Sequence, residues 1–278
     1  MKYNVHMGVV ISKTKGTQLV LRAILCAKRA ASPFLMVCLV LTGRPAWGDE
    51  LHPPVREPDQ SGVVFAINGS GSLQATSTAL AKAVADAGLP LAVVTLEWSQ
   101  GRIVADQTDW RHAREQGCRL ASQIASYRQA NPGQAIYVVA HSAGSGVALT
   151  AAATVPPGSV NRVILLAPSV SSDYDLRPAL RGSKDGIDVF YSRRDAFALG
   201  FGVALVGTSD GCRGCQAAGR VGFRAHAESA EDAVLHAKLR QHPWKRCQAR
   251  LGNHGLHMGA LKPGFLHTCV LPLLNPGH

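Results

Sequence analysis

The chain has 278 residues, 46% of them hydrophobic, which is enough to bury a full core within one main domain. Its formal net charge is +11, but the first 48 residues carry seven of the 29 basic residues and no acidic one. The remainder holds 22 basic (29 − 7) and 18 acidic residues, a net charge of only +4. Because the basic character is concentrated in one terminal segment, the sequence argues against a nucleic-acid-binding protein.

Residues 1–48 have the pattern of a secretory signal segment. Basic residues precede an apolar run from Pro33 to Leu41, and small residues at Ala46 and Gly48 precede the acidic Asp49. The apolar run is roughly half of the ~20 residues that a membrane span needs, so we expect cleavage and export to the periplasm, cell envelope or medium. An uncleaved leader would associate with a membrane through residues 33–43. Residues 49–61, rich in proline and charge, are predicted to link the leader to a domain at 62–278.

Five cysteines follow the leader, and two of them form a Cys212-Arg-Gly-Cys215 motif. In an exported protein this spacing in a glycine-rich loop favours a local disulfide. The alternative is a zinc site that adds Cys247 and a histidine to the pair. We expect no cofactor and no metal in the functional site itself.

Short apolar runs alternate with helical patterns along the rest of the chain. Strands are predicted at 62–67, 91–96, 136–139, 163–167 and 187–191, and helices at 73–87, from Trp110 to Asn131, at 147–153 and at 229–239. Strands that are apolar almost throughout predict a doubly wound, mostly parallel sheet with helices on both faces. Residues 169–186 are expected to form a short lid or crossing segment, whereas residues 97–108 and most of 196–242 show no clear period.

The segment Ile136–Leu149 predicts a strand, a very tight turn and a helix, with Ser142 at the turn. Small residues surround Ser142 (Ala140, Ala143, Gly144 and Gly146), as expected where bulky side chains would collide with a neighbouring strand. Such an elbow exposes a hydroxyl at the carboxyl edge of the sheet, above a helix N-terminus. Ser142 is therefore the candidate nucleophile.

A serine needs a base and an orienting acid, and in this topology they should follow it in the order acid, then histidine. Asp195 is the first candidate acid because it comes shortly after the strand at 187–191; the alternative is a solvated acid paired with a neighbouring arginine. Asp210, in a tight turn, is the second candidate. Asp188 lies inside a strand and is expected to be structural.

The segment 252–259 is the candidate loop for the base, since glycines on both sides let it fold over the site. We predict that His257 is the base, ahead of His254, and that His141 points away from the nucleophile and shapes the elbow. For the oxyanion hole we predict the amide of Ala143, at the helix N-terminus. The second donor should come from the turn after the first strand, with Ser70 ahead of Gly71.

Taken together, these motifs resemble the α/β-hydrolase superfamily over roughly residues 62–275. The residues that carry the resemblance are Ala140-His-Ser-Ala-Gly144, Asp195 and Asn253-His-Gly-Leu-His-Met-Gly259. The resemblance implies a serine esterase or lipase-like enzyme that acts on a small-molecule or lipid ester through a Ser142–Asp195–His257 triad and an acyl-enzyme.

Two features depart from the usual pattern of the superfamily: Ala140 replaces a glycine, and the Gly/Cys-rich segment 207–222 has no evident counterpart. The second departure leaves the acid open between Asp195 and Asp210. Members that place an aspartate at the elbow are disfavoured by Ser142. The alternatives are a peptidase or thioesterase of the same superfamily, or a non-catalytic binding protein that keeps the fold.

Overall fold

A computed structural model describes residues 61–225 and 227–274 of the chain, so the predicted leader lies outside the described residues. In this region six parallel strands form one sheet in the order β2-β1-β3-β4-β5-β6. The strands are β1 (Gly62–Ile67), β2 (Leu91–Leu96), β3 (Ala135–His141), β4 (Arg162–Leu166), β5 (Ile187–Tyr191) and β6 (Leu239–Pro243). The doubly wound parallel sheet predicted from the sequence is confirmed.

Helices connect the strands and cover both faces of the sheet. They are α1 (Ala75–Asp86), α2 (Ile103–Thr108), α3 (Trp110–Ala130), α4 (Gly144–Thr154), α5 (Arg177–Gly182), α6 (Val203–Val206), α7 (Ala218–Val221), α8 (Ala230–His236) and α9 (Pro263–Phe265). A π-helical segment spans Phe197–Gly202, and further 3₁₀ and π-helical turns lie at Arg246–Leu251, Gly259–Leu261, Leu266–Val270 and Leu271–Leu274. None of the helices in the described region is long and apolar enough to cross a membrane.

Alternating residues of the strands enter two separate cores, as a parallel sheet covered on both faces requires. In β1, Phe65 packs on the side of α3 and α4, whereas Val64 packs on the side of α1 and the C-terminal turns. On the first side α3 and α4 approach closely, since a Cβ on Gly117 would lie 2.5 Å from Cβ of Thr150.

The segment at 169–186 packs as a crossing segment rather than forming a lid. Leu180 of α5 is fully buried, and a Cβ on Gly182 would lie 1.8 Å from the carbonyl oxygen of Ala152 in α4. The elements that were not predicted include α2, within residues 97–108, and β6, which begins where the predicted helix at 229–239 should have ended.

The chain order reverses between β1 and β3, which are neighbours in the sheet but are separated in sequence by β2 and α3. In doubly wound sheets, ligands bind outside the carboxyl ends of the strands at such a switch point. The turn that contains Asn68 and the elbow that contains Ser142 meet at this position.

Candidate active site

Ser142 occupies the tight turn between β3 and α4. Its φ is +52°, a left-handed conformation that is uncommon for a residue other than glycine. The backbone around it is held on both sides, because the Ser142 amide donates to the Leu166 carbonyl at 3.1 Å and its carbonyl accepts from the Ser169 amide at 3.2 Å. The surrounding sheet thus fixes a strained backbone at the residue predicted to be the nucleophile.

The two glycines after Ser142 differ in how tightly they are enclosed. A Cβ on Gly144 would lie 2.4 Å from the carbonyl oxygen of Asn68, so the first turn of α4 and the turn after β1 can meet only if residue 144 is glycine. A Cβ on Gly146 would make ordinary contact, 3.6 Å from the Ser209 carbonyl oxygen. Position 144 therefore requires glycine, as expected for the elbow, whereas at position 146 no steric clash excludes a larger residue such as alanine.

Ser142, His257 and Asp195 form a continuous chain of hydrogen bonds. His257 Nε2 lies 2.9 Å from Ser142 Oγ, and His257 Nδ1 lies 2.7 Å from Asp195 Oδ2. Because a carboxylate only accepts, Nδ1 carries the proton and donates it to Asp195, which leaves Nε2 to accept from the serine hydroxyl. The structure brings together the three residues that the sequence proposed for a triad.

Asp195 is held in place by more than His257. It is buried, and its second carboxylate oxygen accepts a 3.4 Å hydrogen bond from the Leu199 amide in the π-helical segment. Arg194 does not pair with it, because its guanidinium lies over the ring of Trp244, 5.0 Å from the centroid. The alternative in which Asp195 is a solvated partner of a neighbouring arginine does not describe this geometry.

The other candidate acids and the other candidate base lie elsewhere. Asp210 accepts a 2.9 Å hydrogen bond from the Ser171 amide and lines a separate cavity between α3 and α4. Asp188 is fully buried in β5 and paired with Arg162, in agreement with the structural role expected for it. His254 is exposed on the loop that carries His257.

His141 contacts the base itself, which the sequence did not predict. Its ring is buried against that of His257 with centroids 4.7 Å apart, and its Nε2 lies 3.0 Å from the His257 carbonyl oxygen. Since a carbonyl accepts, Nε2 of His141 carries a proton and donates it. Burial, with repulsion from His257 adding to it, lowers the pKa of His141 to about 3, so the ring stays neutral.

The predicted oxyanion-hole donors have different surroundings. Among the described residues, no protein acceptor is hydrogen-bonded to the amides of Ala143 and Ser70. The turn that contains Ser70 runs alongside the nucleophile, because a Cβ on Gly69 would lie 3.3 Å from Cβ of Ser142. The Gly71 amide, in contrast, donates to Asp106 at 2.7 Å, so Gly71 is not a free donor in this arrangement.

Asp106 is a buried carboxylate that sequence reasoning missed. Besides the Gly71 amide, it accepts a hydrogen bond from the Gln100 amide at 2.7 Å and another from the Ser99 hydroxyl. It therefore ties the turn after β1 to the loop after β2. Its partners are mostly backbone groups of irregular loops, which leave no pattern in the sequence.

A small cavity lies behind the pair of Asp195 and His257. Its walls include Trp244, whose indole N–H donates to the Asn253 carbonyl at 2.8 Å and so anchors the loop of the base. Ser142 does not line this cavity.

Cys212 and Cys215 are joined by a disulfide, as the sequence favoured. Two of the ligands proposed for the zinc alternative are therefore oxidised. Within the described part of the chain, no group of three or more His, Cys, Asp or Glu side chains is arranged to hold a metal ion.

Residues 49–216 match a protein family described as "Alpha/beta hydrolase of unknown function (DUF900)", and the chain belongs to this family. The match includes the elbow and Asp195 and ends before His257. No curated protein matches the chain in sequence.

Similar solved structures include several esterases. A Trichoderma reesei cutinase bound to a phosphonate inhibitor is 16% identical, with a TM-score of 0.33 over 46% of this chain and 63% of the cutinase. A thermophilic esterase from Thermogutta terrifontis is 12% identical, with a TM-score of 0.39 over 81% of this chain and 82% of its own. An acetylxylan esterase is 12% identical, with a TM-score of 0.40 over 74% and 97%.

Proposed function

We propose that the protein is an exported serine hydrolase that cleaves carboxylic esters through an acyl-enzyme. The observation that carries the proposal is the hydrogen-bond chain from Asp195 through His257 to Ser142, at a serine with a positive φ. A serine at a strand-to-helix elbow, with a histidine oriented by a buried carboxylate, is the arrangement that activates a hydroxyl for acyl transfer.

In the first half of the reaction Ser142 Oγ attacks the ester carbonyl carbon while His257 Nε2 takes the hydroxyl proton. The imidazolium that forms is stabilised by Asp195 at Nδ1, and the carbonyl oxygen becomes an oxyanion. His257 then returns the proton to the alkoxide that leaves, so an alcohol departs and Ser142 carries the acyl group.

The oxyanion would be stabilised by the amide of Ala143, the N-cap residue directly before α4, and by that of Ser70 in the turn after β1. Neither amide has an acceptor within residues 61–225 and 227–274, and the helix N-terminus adds a partial positive charge. In the second half of the reaction a water molecule gives its proton to His257 and attacks the acyl carbon, which releases a carboxylic acid and restores Ser142.

Labelling with a fluorophosphonate tests the proposal directly. We expect a covalent adduct on Ser142 of the folded protein and none on a Ser142→Ala variant, with turnover of a short-chain activated ester lost in parallel. A folded protein that forms no adduct would instead be the non-catalytic binding protein. A panel of matched ester, thioester and amide substrates tests the ester assignment, which is wrong if the thioester or amide has the highest kcat/KM.

Export is a separate part of the proposal. It is supported by the basic and apolar pattern of residues 1–48 and by the Cys212–Cys215 disulfide, a bond that persists mainly in oxidising compartments. Mass spectrometry of the protein recovered from cell fractions should find an N-terminus near Asp49 outside the cytoplasm. An intact leader on cytoplasmic protein would contradict it.

A further inference from the structure

Exposed apolar side chains are concentrated around the candidate active site. Among the described residues eight large apolar side chains are exposed, and Trp110 and six others lie on segments that follow the carboxyl ends of β1, β2, β5 and β6. We call these six the apolar rim: Leu73, Ile103, Val104, Leu205, Leu256 and Met258. Single exposed apolar residues are ordinary, but a cluster around one site indicates an interaction surface.

One half of the rim lies beside the turn that holds the oxyanion-hole candidates. The side chain of Ile103 covers Gly71, where an added Cβ would meet it at 2.7 Å, and Ile103 is nevertheless 62% exposed. Helix α2 is in contact with α6, which carries Leu205, and Gln107 of α2 donates to the Gly207 carbonyl at 3.1 Å. The rim residues on these two helices therefore share one surface.

The other half of the rim flanks the base. Leu256 and Met258 are the immediate neighbours of His257, and they are 61% and 42% exposed while the His257 ring points inward to Ser142 and Asp195. The loop thus turns its polar side chain into the site and its two apolar side chains outward. An apolar partner at this surface would meet the opening of the site itself.

Basic residues accompany the rim on the same edge of the sheet. Residues 244–274 contain Lys245, Arg246, Arg250 and Lys262 and no acidic residue, and Arg102 directly precedes α2. All five side chains are exposed, and none of them forms an ion pair with a described carboxylate. Two exposed acids lie next to α2: Glu97 accepts from Gln74 and Asp109 accepts from the first turn of α3, and both donors are neutral.

We propose that the apolar rim and these basic residues form a docking surface for an anionic lipid layer, and that the ester substrate is drawn from that layer. The proposal rests on the proposed function, since it names the substrate class of the same site. Two contributions favour the binding of a protein to a lipid surface. Apolar side chains enter the acyl region of the lipid layer, and basic side chains around them meet the anionic headgroups. An enzyme that takes its ester from solution would need neither the exposed apolar side chains nor the basic residues around them.

Sedimentation with vesicles tests the docking surface without any catalysis. The chain that starts at Asp49, as cleavage of the leader would leave it, carries Ser142→Ala in this test. It should bind phosphatidylglycerol vesicles more strongly than phosphatidylcholine vesicles, and added salt should weaken the difference. Adding Ile103→Ser and Val104→Ser should reduce binding by about tenfold or more, and Lys245→Gln with Arg246→Gln should do so only on phosphatidylglycerol. Val234→Ser is the matched control, because Val234 is 70% exposed on α8, which leads to the opposite edge of the sheet.

Three results would overturn the proposal: no vesicle binding by the parent, equal binding to both lipids, or binding that the rim substitutions leave unchanged. A dimer in light scattering that dissociates on Ile103→Ser and Val104→Ser would assign the rim to a second copy of the chain instead. Fluorophosphonate labelling of the chain with Ser142 intact tests the proposed function separately from vesicle binding. If the chain is labelled but does not bind vesicles, the proposed function stands and the lipid proposal is wrong.

Discussion

At the scale of single residues, the arrangement around Ser142 depends on side chains that are distant in sequence. His257 lies 115 residues from Ser142 and 62 from Asp195, yet both contacts are within hydrogen-bond distance. Each of the three side chains follows the carboxyl end of a different strand (β3, β5 and β6), and parallel strands bring those ends to one edge.

The structure distinguishes between the two acids that the sequence left open, and substitution of each tests the distinction. Asp195→Asn should lower kcat on an activated ester by ~10⁴, because an amide at this position no longer fixes the Nδ1–H tautomer of His257 or stabilises the imidazolium. Asp210→Asn should leave kcat unchanged, since its side chain can still accept from the Ser171 amide, away from His257. Equal losses in the two variants, or a larger loss for Asp210→Asn, would contradict the triad.

His141 should make the stability of the folded protein depend on pH in acid. With its pKa lowered from about 6.5 to about 3, the folded protein binds fewer protons at this residue than the unfolded chain between those two pH values. Stability from this group therefore falls as the pH drops through that window, by at most about 1.4 kcal/mol per pH unit.

Urea unfolding across this window should separate the two roles of His141. His141→Gln keeps an N–H donor for the His257 carbonyl but cannot titrate, so its free energy of unfolding should fall less in acid. His141→Phe should cost about 1–3 kcal/mol at neutral pH, because the buried carbonyl loses its donor. A parent protein whose acid dependence is the same as that of His141→Gln would contradict the lowered pKa.

The residues that sequence analysis found are those with a local signature. Ser142 sits in a cluster of small residues after an apolar strand, and His257 lies between glycines. The contact of His141 with the His257 carbonyl, and the position of Asp106 between two loops, depend on how distant loops pack. No residue type or spacing encodes such packing, so these two roles required the structure.

At the scale of elements, the site depends on how closely α4 approaches the turn after β1. Gly144 marks the point of contact, and Gly146, two residues further along the helix, does not. The two positions lie in the same helix, so one identical substitution at each separates a steric requirement from a helix-propensity effect.

Gly144→Ala should be destabilising and should lower kcat, because the new Cβ would push against the Asn68 carbonyl and displace the turn that carries Ser70. The clash is with backbone, which cannot move aside as a flexible side chain can. We therefore expect the free energy of unfolding to fall by about 1–3 kcal/mol or more. Gly146→Ala should be neutral or stabilising by up to about 1 kcal/mol through helix propensity. Thermal unfolding and ester turnover of both variants measure this; equal effects would show that α4 adapts without strain.

Elements with an apolar period were predicted well, and one strand was missed for a physical reason. Strands β1, β2 and β5 have the bounds expected from their apolar runs. Strand β6 is the edge strand, with the sequence Leu-Arg-Gln-His-Pro, and its residues are only partly buried. Its polar side chains pair with the neighbouring strand, so neither apolar alternation nor an apolar run indicates it.

At the scale of the whole molecule, a buried carboxylate joins the edge strand β6 to the neighbouring strands β5 and β4. The carboxylate of Asp188 in β5 accepts from Arg162 of β4 at 2.9 Å, and from Arg240 and His242 of β6 at 2.8 Å each. Burial alone would raise the pKa of Asp188, but these hydrogen bonds outweigh it and hold the pKa well below its usual range. Strand β6 is followed by the 3₁₀ turn at Arg246–Leu251 and then by the loop of His257, so we expect this cluster to help position the base.

Replacing Asp188 should therefore affect stability and catalysis together. Asp188→Asn leaves Arg162 and Arg240 beside a neutral amide, and because Arg240 is 38% exposed, water solvates part of the unpaired charge. We expect the free energy of unfolding to fall by about 1–3 kcal/mol. The ionised carboxylate stabilises the fold above the ordinary aspartate pKa of about 3.9, and this contribution is lost as the pH falls through the lowered value. The difference between parent and variant in urea unfolding should thus be largest near neutral pH and shrink in strong acid.

Asp86→Asn is the control, because Asp86 forms an exposed pair with Lys82. It should lower the free energy of unfolding by less than about 1 kcal/mol and leave kcat unchanged. If Asp188→Asn lost stability while kcat at low temperature matched the parent, β6 would hold the sheet edge without positioning His257.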